Sequence, residues 1–105
     1  MTNKGAIQQI LGSLMKHPQF LSEVDKYSLT LDDFSSRFEK YIFAAIDGLR
    51  KNGAPKITPF DIENYFEANA AAKKTFELHG GLEYLQDIED FSNVENFPYY
   101  YSKLK

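Results

Sequence analysis

Few residues in this chain could do chemistry. There are two histidines, His17 and His79, and no cysteine. His17 precedes a proline and His79 precedes Gly80-Gly81. Neither has a second imidazole or a thiolate at the spacing of a zinc site. Carboxylates cluster at Asp32-Asp33 and at Asp87, Glu89 and Asp90, out of register with a calcium loop. They read as a helix-start pair and a solvated face. Gly80-Gly81 opens a helical pattern, and helix N-termini attract anions. A phosphate loop needs a longer glycine spacing that ends in Lys before Ser or Thr. Leu82 and Glu83 follow here instead, and Glu83 would repel phosphate. The basic groups Arg50-Lys51, Lys73-Lys74 and Lys103 with Lys105 fit helix ends and solvated faces. No acid, base and ligand set converges, so the expectation for this chain is no catalysis, no metal and no cofactor.

The chemistry that remains is adhesion. Tyr99-Tyr100-Tyr101 places three rings about 100° apart on a helix, more directions than one small core covers. Phe97, Tyr100, Tyr101 and Leu104 recur at i, i+3, i+4 and i+7 and can share one side. Tyr99 is then left outside. Two readings stay open: packing of the rings within the chain, or contact with another chain. Phe97, Tyr99, Tyr100, Tyr101 and Leu104 form the candidate protein interface. Nine Phe and seven Tyr make the chain aromatic-rich, and aromatics are enriched at interfaces.

Helices must position these rings. Ile7, Ile10, Leu11, Leu14 and Met15 form one stripe over residues 5–16, with Gly12 inside it to admit a close neighbour. His17-Pro18 ends that helix, and Phe20 and Leu21 tuck inward. Tyr27, Leu29 and Leu31 alternate as in a strand, but no second strand is available to pair with them, so they form an extended connector. Ser36-x-x-Glu39 is a capping box for a helix that buries Phe38, Ile42, Ala45, Ile46 and Leu49. Asn52-Gly53 stops it. Thr58-Pro59 starts the next, with Ile62, Tyr65 and Phe66 on its inner face. Asn69 breaks it before Ala70–Leu78, anchored by Phe76. Gly80 and Gly81 form a structural turn into a helix over Leu82–Phe91. His79, in the last turn before them, is placed to satisfy open carbonyls. A final helix begins at Asn93 or Asn96.

The chain has 105 residues, 43% hydrophobic and 26% charged, with a net charge of −3. That suits one domain with an adequate core. The charge argues against DNA binding, which calls for an excess of Lys and Arg. No apolar run approaches a membrane span. Met1-Thr2-Asn3-Lys4 shows no leader pattern, so the expected location is cytoplasmic.

Four of these stretches resemble a family. Ile10-Leu11-Gly12-Ser13-Leu14-Met15 is similar to the "VLGxLL" helix of the N-terminal domain of DnaB-like replicative DNA helicases. Ile42-Phe43-Ala44-Ala45-Ile46 resembles its "IFxAI" helix, and Gly80-Gly81-Leu82-Glu83-Tyr84-Leu85 its "GGxxYL" turn. Asn96 to Tyr100, with Tyr101 and Leu104, resembles the "NxxYYxxxV" start of its helical hairpin. Ile7 stands where the family usually has Glu, and Glu39 where it often has His.

The resemblance implies an all-α fold. Residues 1–92 would be a small globular helical bundle of about six short helices. Residues 93–105 would be the first helix of a helical hairpin, truncated here, with the C-terminal ATPase domain absent. It implies self-association into dimers and a hexameric ring, and docking of primase and a helicase loader. Direct DNA contact by this domain and a membrane role are not expected. ATP and Mg would belong to the absent motor. The alternative is a stand-alone small helical phage or mobile-element replication factor that binds a host helicase or primase.

Overall fold

Local hydrogen bonds set where the helices begin. Ser36 Oγ accepts the Glu39 amide at 3.1 Å, and Glu39 Oε1 accepts the Ser36 amide at 3.1 Å. Thr58 and Asp61 repeat the exchange at 2.9 and 3.2 Å. Asn69 Oδ1 accepts from the Ala72 amide at 3.1 Å. Each cap satisfies amide donors that a helix start leaves open. The computed structural model describes residues 4–105. Its helices are α1 (Lys4–Lys16), α2 (Arg37–Lys51), α3 (Pro59–Tyr65), α4 (Ala70–Leu78), α5 (Gly81–Phe91) and α6 (Phe97–Leu104). Short 3-10 turns occupy Pro18–Ser22, Leu31–Asp33, Phe66–Ala68 and Val94–Asn96. No strand forms among the described residues, so the fold is an all-α bundle. The reading of Met1 to Asn3 as lacking a leader lies outside the described residues.

α1 is the central helix. Ile7, Ile10, Leu11, Leu14 and Met15 are fully buried, and α5 and α6 both lie against it. Gly12 makes that possible. A Cβ there would collide with the Ile88 carbonyl oxygen and stand 2.7 Å from Ser92 Oγ. α2 contributes Phe38, Ile42, Phe43, Ala45 and Ile46 to the same core, and α4 adds Phe76. Two buried hydrophobic residues come from loops: Phe34, and Ile57, whose amide donates to the Met15 carbonyl at 2.9 Å.

Three local expectations need correction. Tyr65 is not an inner-face residue: it is 42% exposed, its ring end lying over Gly48 of α2 while Phe66 takes the core position. Leu31 breaks the strand-like alternation of the connector, because a 3-10 turn starts there and leaves it exposed. The His79 ring satisfies no carbonyl. It lies 5.5 Å from the Phe38 ring, and only its backbone amide caps α4, donating to the Thr75 carbonyl.

The Gly80-Gly81 turn uses conformations that side chains disfavour. Both residues have positive φ, 118° and 53°. The reversal lets α5 start at once after α4, with Gly81 buried beside Phe76. α6 then turns back toward the body. It lies back along α1, and Phe97 joins the core.

Candidate protein interface

α6 begins with Phe97-Pro98, where proline in the first turn forfeits no helical hydrogen bond. Phe97 is fully buried and lies face to face with Phe20, ring centroids 4.0 Å apart and 5° from parallel. Tyr27 meets Phe97 edge-on at 4.8 Å and Tyr101 at 5.0 Å. Tyr101 accepts the Ser28 amide on its hydroxyl at 2.8 Å. The Lys105 ammonium donates to both carboxylate oxygens of Asp33 at 3.0 Å. The aromatic connector therefore earns its place as the seat of α6.

A second set of bonds holds the corner between α5 and α6. Gln9 Nε2 donates to the Phe91 carbonyl at 3.3 Å, and Gln9 Oε1 accepts the Asn93 amide at 3.1 Å. Lys16 Nζ donates to the Ser92 carbonyl at 2.8 Å. Gln9 and Lys16 flank Gly12 on one face of α1, so the glycine and the two polar side chains form a docking strip for residues 91–93. The close approach at Gly12 was legible in the sequence. The partners of Gln9 and Lys16 were not.

The five candidate residues divide. Phe97 is closed to any partner by its burial, since Phe20, Tyr27 and Tyr101 surround it. Tyr100, Tyr101 and Leu104 pack partly against the core. Tyr99 is 57% exposed, and its ring meets Tyr100 edge-on at 5.2 Å. Lys103 Nζ stands 5.3 Å from the Tyr99 ring centroid, a cation–π distance. Tyr99, Tyr100 and Lys103 thus form one amphipathic surface. Rings of this kind bury large area at low entropic cost when a partner covers them. Gly80 and Gly81 contribute backbone shape alone.

Several of the basic groups pair with acids of the chain. Arg50 and Lys51 both pair with Asp47, at 2.8 and 3.2 Å, and Lys73 pairs with Glu67 at 3.1 Å. Among the described residues no group of three His, Cys, Asp or Glu side chains is placed to share a metal ion. No described helix is long and apolar enough to cross a membrane.

With this geometry in place, comparison with known proteins is informative. The family described as "DnaB-like helicase N terminal domain" matches residues 2–105. The "SPbeta prophage-derived uncharacterized protein YorI" of Bacillus subtilis (strain 168) is 40% identical over 105 residues, all of this chain and 21% of that protein. The chain therefore spans about a fifth of the length of this curated relative. No solved structure matches significantly.

Proposed function

Since the chain belongs to the DnaB-like helicase N-terminal domain family, we propose that it is the assembly and partner-docking domain of a hexameric replicative DNA helicase. In this reading the domain pairs with copies of itself to build a collar and offers surfaces to a primase and a helicase loader. The unwinding motor, driven by ATP and Mg, belongs to a separate part of the parent protein. The 105 residues contain no GxxxxGK[ST] loop. Location in the cytoplasm follows from this role.

The observation that supports the reading most is the exposed Tyr99 and Lys103 on α6, with half-buried Tyr100 beside them, on the helix whose sequence resembles the start of the family's hairpin. Sedimentation of the full-length gene product tests it. The expected result is a concentration-dependent assembly that Tyr99→Ala weakens while leaving the fold intact. A strict monomer at high concentration would overturn the assembly role.

A further inference from the structure

A cleft of about 390 Å³ lies where the starts of α1 and α2, the end of α4 and the first turn of α5 meet. Lys4, Gln8, Arg37, Thr75, His79 and Tyr84 line it. This volume falls in the range of small-ligand pockets, roughly 300–1,000 Å³.

Two cations, Lys4 and Arg37, line it against a single acid, Glu39. The chain carries a net −3, and Arg50, Lys51, Lys73 and Lys105 each have a carboxylate partner. Lys4 and Arg37 have none among the described residues. Two uncompensated cations facing one concavity focus positive potential there. The one acid lining the cleft, Glu39, is 5% exposed. Its Oε1 is occupied by the Ser35 amide, the Ser35 hydroxyl and the Ser36 amide at 3.1–3.2 Å. The Tyr84 phenol also lines the cleft, and its hydroxyl can donate a hydrogen bond. Thr75 and His79 add further polar groups to the lining.

We propose that this cleft binds one compact oxyanionic group of a small ligand, a phosphate monoester or a carboxylate, gripped by Lys4 and Arg37 with Tyr84 and His79 as hydrogen-bond donors. A nucleic-acid strand is the wrong shape of anion. It needs a continuous basic track, and α5 beside the cleft exposes Glu83, Asp87 and Asp90 instead. The site is independent of the α6 surface and of the assembly role.

Titration of the ¹⁵N-labelled chain at low chloride with adenosine monophosphate, and separately with succinate, tests the proposal. The expected result is saturable shifts at Ser36, Arg37, His79 and Tyr84 with one or both probes, the tighter probe identifying the anion class. Arg37→Gln and Lys4→Gln should each weaken binding roughly tenfold, the loss of one charge-assisted hydrogen bond. Lys26→Gln, on the connector, should leave it unchanged. Arg37 is exposed, so its replacement leaves the fold intact, and a circular dichroism melt checks this. Non-saturating shifts with both probes, equal weakening by Lys26→Gln, or tighter binding of oligo-dT than of either probe would overturn it.

Discussion

Phe97 and Phe20 stack with their ring centroids 4.0 Å apart and their planes 5° from parallel. The pair joins the last helix to the turn after the first, and it explains why α6 is part of the core. Phe97→Ala should therefore cost about 3–5 kcal/mol, the usual range for a buried phenylalanine. Tyr99→Ala, two residues on and exposed, should stay within about 0.5 kcal/mol. Urea unfolding followed by circular dichroism distinguishes the two. Equal losses would mean that α6 is not seated as described.

The turn glycines and Gly12 are required for different reasons, and substitution separates them. At Gly81, with φ of 53°, the nearest atom to an added Cβ is 3.8 Å away, so the obstacle is conformational. Alanine there should cost about 1–2 kcal/mol, and the β-branched valine more. If α6 mediates assembly, Gly81→Val should weaken folding and self-association together. Gly12→Ala meets the α5 backbone itself and should cost about 1–3 kcal/mol by overpacking. Thermal melts of the three variants check the order.

The strip on α1 that holds the α5–α6 corner makes a local prediction. Gln9→Ala removes the acceptor of the Asn93 amide, so that amide should exchange with solvent faster than in the parent. Lys16→Met should release the Ser92 carbonyl and destabilise by about 1–3 kcal/mol, the range for a hydrogen bond to a charged group. Hydrogen exchange confined to residues 91–97 is the expected signature. Uniform acceleration along the chain would point to global destabilisation instead.

Tyr84 sets the alkaline limit. Burial pushes its phenol up to about 12, the Glu39 carboxylate adds to the rise, and the Gln8 hydrogen bond opposes both. The unfolded phenol titrates near 10.0. The native state therefore holds this proton more tightly, and its contribution is fully present below pH 10. It falls as pH rises from 10 through 12, by about 1–2 kcal/mol once solvent screening of the half-exposed ring is allowed for. Tyr84→Phe should flatten that decline. Absorbance titration at the tyrosinate band should show one of the seven tyrosines ionising late, and Glu39→Gln should bring it earlier.

The sequence was most informative where physics is local. Ser36 with Glu39, Thr58 with Pro59, and Asn69 each announce a helix start within four residues, and the hydrogen bonds follow those positions. The stripe on α1 was equally plain, since a 3.6-residue period needs no knowledge of the partner. Ile57 and Phe34 were invisible because each is a lone apolar residue in a loop, buried by distant elements. Tyr65 misled because its spacing suits the inner face, whereas the room beside Gly48 draws its ring outward. At the candidate interface, the outward direction of Tyr99 could be read from the 100° step alone. The closure of Phe97 could not, because it depends on Phe20 and Tyr27 far upstream. The cleft at Lys4 and Arg37 had no sequence signal, since four separate elements build it.

The placement of α1 also bears on how the chain acquires its structure. α1 leaves the ribosome ahead of α5 and α6, the two helices it packs against most broadly. The bonds joining them span 76 to 84 residues. Closing a loop of that size carries an entropic cost that grows only slowly with length, but it must be met before the long-range contacts form. The apolar stripe of α1 consequently waits, until residues 81–104 have been made, with its chief partners unmade. Nascent chains halted before Phe97 should keep that stripe open to chaperones and proteases, and protection should arrive in one late step as α6 emerges.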